Sequence, residues 1–536
     1  MTAKPKDLPI GIQTFENLIQ GNFIYVDKTK LIYNLVKPEQ GVYFLSRPRR
    51  FGKSLLVSTL SSIFKGDKEL FKNLWIYDSD YTWEKHPVIK LSMANSQVGE
   101  TDTMETRIKI QLNYIAEEYG IELDLKPYVD IVFTDLIHKL HQKTRMKVVV
   151  LVDEYDGPII NHINDIPKAN ENRDLLRNFY KVLKEEDNFL RFVFITGVSK
   201  FAKVSIFSGL NNLSDLSMNE DFASLCGYTQ SELESYFSEY LDKIVEKFKN
   251  RPQDLELEKA SEVNKEQILA KTRFWYNGFR FTKDTLTVYN PFSILEFLQN
   301  KDFTGFWFAT ATPDFLIKLI NSQEENIKDL DGMYIESFSL DTYSVDNLDL
   351  VPIFFHTGYL TIKDYRVKSS TSFQFTYPNF EVKQAFLNSF LSFNLIDKSS
   401  KSANLERLAE YIQEGNISDF IEILKEFFLS LNYYDHIKKE KYYQGILYTI
   451  LYLTGLKINS EEPTSTGRID LVLKTDSEIY LFELKLNQTA KAALEQIHKK
   501  KYHEKYLSLN KKITLIGLNF NSEIKNIDEY LVESVN

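Results

Sequence analysis

The sequence predicts an α/β protein. It has an N-terminal parallel sheet flanked by helices, a mostly helical middle region and a C-terminal α/β domain. Three observations predict this. Apolar runs of strand length alternate with helix-period segments through the first 200 residues. One of these runs, Val148-Val149-Val150-Leu151-Val152, is β-branched and unalternating, as a strand covered on both faces should be. Near the C-terminus, two alternating strands flank a turn at Asp476-Ser477.

The apolar runs are Val42–Leu45, Pro87–Leu91, Lys147–Val152 and Phe192–Thr196, separated by helical stretches such as Leu55–Phe64, Thr103–Glu118 and Arg173–Lys184. Strands alternating with helices imply a parallel sheet. Residues 228–300 read as mostly helical; their aromatic cluster Phe274–Phe279 is either core and turn or a base-stacking platform, with core and turn favoured. Residues 350–395 return to a mixed pattern, and Ser399–Asn404 is polar enough to read as a linker. Helices then lead to a hairpin at 467–487, a further helix and a last strand at 513–518. The expected domains are 1–225, 226–400 and 401–536.

The chain has 536 residues, too many for a single core. It is 43% hydrophobic, 14% aromatic and 26% charged, the balance of a folded rather than a disordered chain. No run of about 18 apolar residues predicts a membrane span, and the N-terminus lacks an apolar signal region. Cys226 is the only cysteine, so an internal disulfide is excluded and a cytoplasmic location is expected. A net charge of −10 argues against a surface that coats nucleic acid throughout and leaves room for a local basic groove. A homo-oligomer is compatible with the sequence and not specified by it.

Residues 47–54 read Arg-Pro-Arg-Arg-Phe-Gly-Lys-Ser between a strand and a helical run. Strand, loop, Gly-Lys-Ser and helix are the context of a Walker A phosphate loop. The backbone N–H groups around Gly52 would face phosphates, Lys53 would reach the β- and γ-phosphates of ATP, and Ser54 would ligate Mg²⁺. Arg47 replaces the first glycine of that motif. Arg47, Arg49 and Arg50 either add phosphate contacts or belong to another anion site. The partner is Val152-Asp153-Glu154 at the end of a buried strand. Asp153 would hold Mg²⁺ and Glu154 would orient the attacking water, although an acidic pair there can also cap a helix. The strand ending Ile195–Ser199 offers Thr196 or Ser199 as a γ-phosphate sensor.

In the hairpin, Ile469, Leu471 and Leu473 share a face with Tyr480, Phe482 and Leu484, and Asp470, Glu483 and Lys485 share the other. A turn centred between Asp476 and Ser477 places Asp470 opposite Glu483 and Lys485 opposite Arg468. Opposed carboxylates destabilise a sheet unless they share a divalent cation. Such a pair would bind Mg²⁺, or Mn²⁺, beside a scissile phosphate, with Lys485 positioning water or stabilising charge. Glu440 shares a helix face with Tyr443, Leu447 and Leu451 and is either a third acid or a helix-start glutamate. Residues 485–512 hold eight lysines against Glu495 and Glu504, which suits a phosphate backbone or an ordinary solvated face. Gln496, Lys499, Lys500 and Tyr502 are candidate lining residues.

These motifs resemble a bacterial family in which an AAA-ATPase-like domain is fused to a PD-(D/E)xK nuclease-superfamily domain. The matching stretches are Tyr25–Thr29, Phe44–Ser54, Leu151–Asp156, Ile195–Ser199, Trp275–Gly278, Tyr289–Ser293, Thr357–Thr361, Pro378–Val382 and Phe482–Lys485. The variant loop carrying Arg47 is typical of that family. The resemblance implies an ATPase fold of the additional-strand (AAA/ASCE) type and a restriction-endonuclease-like C-terminus. The expected function is an ATP-dependent nuclease on nucleic acid, DNA rather than RNA, with defence or mobile elements as its setting. The competing expectation is a nucleotide-switched protein whose nuclease-like domain grips nucleic acid or a protein without cutting.

Overall fold

A computed structural model describes residues 6–94, 103–163, 165–200, 206–207, 210, 212–255, 257, 259–307, 314–323, 327, 329–340, 349–431, 440–464 and 467–535, with backbone alone at 314–315, 322–323, 459–464 and 467–468. The chain divides into two compact units, Met1–Ala309 with Gly332–Val382, and Thr310–Asp331 with Lys383–Asn536. Most of the region that the sequence sets apart as the middle therefore packs within the first unit. Its helices bury Leu233, Leu241, Ile268 and Phe297 in one cluster with Leu8, Ile24 and Val26 from the chain start.

The first unit is built on strands β1 (Gly41–Ser46), β2 (Val88–Ser92), β3 (Val148–Asp153), β4 (Leu190–Gly197) and β5 (Ser214–Asp215), in the order β2-β3-β4-β1-β5. Every pairing is parallel, which requires crossover connections. Helices Lys53–Phe64, Met104–Glu118, Val129–Thr144 and Ile166–Glu185 supply them. All six residues of β3 are buried, as its unbroken apolar run requires. Strand β4 lies between β1 and β3, the additional-strand order that the resemblance implied. Asp165 caps Ile166–Glu185 through the Lys168 N–H at 3.2 Å. This helix starts seven residues before Arg173 because its first turns are polar and hide the period. A small antiparallel sheet of β6 (Tyr334–Glu336), β7 (Thr361–Val367) and β8 (Thr371–Thr376) completes this unit.

The second unit centres on β9 (Lys457–Thr464), β10 (Gly467–Lys474), β11 (Glu478–Leu486), β12 (Lys512–Asn521) and β13 (Asn526–Val535), ordered β13-β12-β11-β10-β9. Strands β11 and β12 run parallel, joined through helix Ala490–Lys499, and the other pairs are antiparallel. Both faces of the hairpin are covered. Val472 and Leu481 pack with Leu494 and Ile497; on the other side Phe482 meets Phe420 at 6.1 Å and the Tyr480 hydroxyl donates to the Ile412 carbonyl at 2.8 Å. Two expectations change here. Ser399–Asn404 is no linker: helix Lys401–Gln413 begins there, and Lys401 Nζ donates to Ser392 Oγ at 2.7 Å. Strand β13 was not anticipated, because as an acidic edge strand it buries little of its length.

The carboxyl edge of the first sheet is held by Asp156. Its buried carboxylate accepts the Ser199 N–H at 2.7 Å, the Ser199 hydroxyl at 2.8 Å and the Val198 N–H at 3.2 Å. These bonds tie the segment after β3 to the end of β4. Asp156→Ala should cost about 2–3 kcal/mol by leaving buried donors unpaired, measurable as an earlier urea transition of the first unit. A transition within 0.5 kcal/mol of wild type, roughly the scatter of neutral surface changes, would show that the staple is dispensable.

Candidate functional site

Strands β1 and β3 are parallel members of one sheet, so the segments after Ser46 and after Asp153 leave the same edge. That edge is where open α/β sheets place ligands. Gly52 adopts φ 91° and forms the N-cap of helix Lys53–Phe64, so the first-turn N–H groups face the loop. Ser54 follows, half-buried, in that turn. Lys53 is buried, and its ammonium donates to the Arg47 and Pro48 carbonyls, both at 2.9 Å. Burial pulls its pKa down, against the charges of Asp153, Asp156 and Glu154. The chain thus brings Lys53 together with the acids after β3.

Asp153 is buried, and its Oδ1 has no hydrogen-bond partner among the described residues. Glu154 has φ 54°, a left-handed conformation that a non-glycine residue holds only under constraint. Its carboxyl is raised, first by burial and then by Asp153, with Lys53 and Arg49 working against the rise.

Two expected phosphate groups have other partners. The Thr196 hydroxyl is fully buried and donates to the Leu45 carbonyl at 2.7 Å. It thus lies between β4 and β1, bonded to β1, because its strand pairs in register with that neighbour. The alternative, Ser199, bonds Asp156. The Arg47 guanidinium is buried, donates to the Ser46 and Ser217 carbonyls at 2.9 and 2.8 Å, and lies 4.2 Å from the Phe281 ring centre.

Several residues that the sequence reading left without chemistry surround this loop. Phe51 meets Phe279 and Phe281 edge-on at 4.9 and 5.6 Å. Arg50, at φ 64°, stacks on Phe292 at 3.8 Å. Asn290 Nδ2 donates to the Arg49 carbonyl at 3.3 Å. Gly358, at φ 89°, approaches so closely that a Cβ there would stand 2.7 Å from Pro48 Cβ. The signal for this collar was present as the Tyr289–Ser293 and Thr357–Thr361 motifs, but nothing local to them names the loop they hold. In Trp275–Gly278, Tyr276 is buried and its hydroxyl donates to the Thr304 carbonyl at 2.8 Å, a core role.

In the second unit, β10 and β11 pair Leu471 with Phe482 through to Lys474 with Ile479, the register expected from the two-residue turn. One step further, Asp470 Oδ2 accepts the Leu484 N–H at 2.9 Å. Glu483 is 1% exposed and its Oε2 has no hydrogen-bond partner among the described residues. Its Oε1 accepts from the Gln496 amide and, at 3.3 Å, from Lys485 Nζ, which also donates to the Leu484 carbonyl at 3.0 Å. Burial first, then the Asp470 charge, push Glu483 up to about 8, with Lys485 opposing. Arg468, expected across from Lys485, lies outside the residues whose side chains are described.

Glu440 Oε2 accepts the Leu486 N–H at 3.2 Å and its Oε1 accepts from Gln444 at 3.4 Å. It braces helix Glu440–Leu453 against the end of β11. Among the described residues no three His, Cys, Asp or Glu side chains gather as a metal cluster. Of the lining candidates, Gln496 touches Glu483, Tyr502 is buried, and Lys499 is exposed. Lys491, Lys501 and Lys505 add exposed positive charge in the same stretch. No helix among the described residues is long and apolar enough to cross a membrane.

Two family profiles match the chain: "Predicted AAA-ATPase" over residues 9–207, and "PD-(D/E)XK nuclease superfamily" over residues 438–530. The chain is similar to an "Uncharacterized protein in vnfD 5'region" of Azotobacter chroococcum mcd 1, with 34% identity over 541 residues, covering 99% of both chains. Among solved structures, the Aeropyrum pernix ORC1 protein in complex with DNA matches at 11% identity and a TM-score of 0.24, over 68% of this chain and 91% of that one, a likeness too slight to bear on function. A parallel sheet with both phosphate-loop motifs at one edge, an acid pair with an adjoining lysine on a second sheet, and an end-to-end relative agree. The chain belongs to the family that joins a predicted AAA-ATPase domain to a PD-(D/E)XK nuclease-superfamily domain.

Proposed function

We propose that this protein binds and hydrolyses ATP at the β1–β3 edge, and that this activity is coupled to cleavage of nucleic-acid phosphodiesters, those of DNA, at Asp470, Glu483 and Lys485. Defence or mobile-element biology is the setting the family suggests. One observation carries the reading: each site contains a buried carboxylate oxygen with no hydrogen-bond partner among the described residues, Asp153 Oδ1 and Glu483 Oε2. Leaving such an oxygen unpaired is costly, and a divalent cation compensates it.

The donor sets fit Mg²⁺, and Mn²⁺ equally, since both take hard oxygen ligands. Asp153 with the Ser54 hydroxyl would hold one ion, and Asp470 with Glu483 another. Bound there, a divalent cation supplies charge neutralisation and an acidified water. The protein's own groups do the remaining work. Gly52 and the first-turn N–H groups receive phosphate oxygens, and Lys53 exchanges its loop carbonyls for them. Glu154 orients water. At the second site Gln496 fixes the Glu483 carboxylate, and Lys485 stabilises negative charge on the phosphate. The exposed lysines between 491 and 505 would follow the nucleic-acid backbone.

The deciding experiment incubates the protein with plasmid DNA and Mg²⁺ or Mn²⁺, with and without ATP. Cleavage should be lost in Lys485→Ala and should lose its ATP dependence in Lys53→Ala. Absence of cleavage under every condition would favour a nucleotide-switched binding protein instead. Lys53→Ala should also weaken ATP binding by about 100-fold or more, because it removes the charge paired with phosphate; unchanged affinity by calorimetry would remove the phosphate-loop assignment. Glu154→Gln should keep ATP affinity while turnover falls by roughly 10²-fold or more, and native turnover would make Glu154 structural.

The second site should respond to pH. Glu483 titrates near 8 in the folded protein against an ordinary value of 4.5. Between those values the folded state holds the extra proton, so metal-free stability falls as pH rises from about 4.5 to about 8 and then levels. Uptake of a divalent ion must expel this proton. Mn²⁺ affinity by calorimetry should therefore rise about tenfold per pH unit below about 8, and Glu483→Gln should flatten that slope. A pH-independent affinity in the wild type would mean that Glu483 is not a ligand.

A further inference from the structure

The phosphate loop carries three arginines, and their surroundings differ. Arg47 is buried, its guanidinium held by the Ser46 and Ser217 carbonyls and by the face of Phe281. Arg50 is stacked on Phe292 at 3.8 Å. Arg49 is exposed, and its guanidinium makes no hydrogen bond or ion pair among the described residues. Its backbone is anchored, with Asn290 Nδ2 donating to the Arg49 carbonyl at 3.3 Å. Asn290 is itself fully buried, and its Oδ1 accepts the Phe292 N–H at 2.9 Å, so the anchor is rigid. Arg49 precedes Lys53 by four residues on the same loop, and its charge reaches Glu154 beyond the end of β3, lowering that carboxyl. An exposed cation with an anchored backbone therefore stands on the same loop as Lys53.

We propose that Arg49 is a positioning arginine supplied in cis, whose guanidinium engages the γ-phosphate of bound ATP, so that the site distinguishes tri- from diphosphate without a residue from a second copy of the chain. This rests on the ATP reading above. A guanidinium presents paired N–H donors that match two phosphate oxygens. In hydrolysis the water oxygen bonds to the γ-phosphorus as the bond to the β–γ bridging oxygen breaks. That electron pair leaves with ADP, and the proton of water passes by way of Glu154 to solvent. Charge spreads over the γ-phosphoryl oxygens during this step, where Arg49 meets it. Arg47 cannot do this, because its guanidinium is buried with Nη1 on the Ser46 and Ser217 carbonyls, and Arg50 is stacked on Phe292.

The test compares wild type, Arg49→Ala, Arg49→Lys and Lys53→Ala by calorimetry with ATP and ADP, by steady-state phosphate release and by thermal melting. Arg49→Ala should bind ADP within about threefold of wild type, bind ATP about tenfold more weakly, and lose on the order of 10³-fold in kcat, with an unchanged Tm. Arg49→Lys should recover part of the ATP affinity and little of kcat, because it restores charge and not the paired donors. Lys53→Ala should lose both nucleotides. Wild-type kcat and ATP-over-ADP preference in Arg49→Ala, beside a defective Lys53→Ala, would overturn the arginine assignment alone. An equal loss of ATP and ADP, or a lowered Tm, would show Arg49 to be structural and overturn it too. A wild type that binds neither nucleotide would overturn the ATP reading together with this proposal.

Discussion

In the first unit the loop Arg47–Ser54 keeps its shape without the glycine that opens the Walker A pattern. Arg50 and Gly52 both stand at positive φ, 64° and 91°, and for an arginine this costs roughly 1–2 kcal/mol. Within the loop, Lys53 donates to the Arg47 and Pro48 carbonyls at 2.9 Å. Contacts from far along the chain hold the loop as well: Phe281 under Arg47, Gly358 against Pro48, Asn290 on the Arg49 carbonyl, Phe292 under Arg50 and Phe279 against Phe51. The arginine in the first glycine's place has become part of the clamp, with its guanidinium bonded to the Ser217 carbonyl.

The clamp is made by described residues beyond the sheet, Phe279, Phe281, Asn290, Phe292 and Gly358, which lie in the first unit. The helices between residues 226 and 309 form a core with Leu8, Ile24 and Val26, and their turns face the loop. Glu381 shows the same economy at a distance: its buried carboxylate accepts the Phe306 and Trp307 N–H groups at 2.6 and 2.7 Å. Most of the stretch expected as a middle region packs within the first unit.

Three buried acids show how the fold separates structural carboxylates from those that await a cation. Asp156 is enclosed by the Val198 and Ser199 donors. Asp153, three residues earlier, and Glu483 in the other unit each keep a buried oxygen without a hydrogen-bond partner among the described residues. Burial raises the carboxyls of Asp156 and Glu483. Asp156 is closed off by the protein's own donors, and Glu483 is bonded through Oε1 alone, by Gln496 and Lys485.

The sequence by itself determined the strands whose pattern is extreme and the residues whose chemistry is local. The unbroken apolar run at Val148–Val152 predicted a doubly covered strand, and a two-residue turn predicted the register that pairs Leu471 with Phe482 through to Lys474 with Ile479, because side chains alternate with period two. Gly-Lys-Ser between a strand and a helical run placed Lys53 at the start of that helix. Tertiary structure decided what depended on distant partners. Thr196 is polar at a strand end, and only the neighbour β1 turns its hydroxyl onto the Leu45 carbonyl. Glu440 lies on an inward helix face, and only the end of β11 makes it a brace. The polar start of helix Lys401–Gln413 and the acidic edge strand β13 carry too little apolar pattern to be read alone. That Arg47 is buried and Arg50 stacked was fixed by Ser217, Phe281 and Phe292, residues some 170 to 240 positions away in sequence, and no local pattern encodes contacts at that separation.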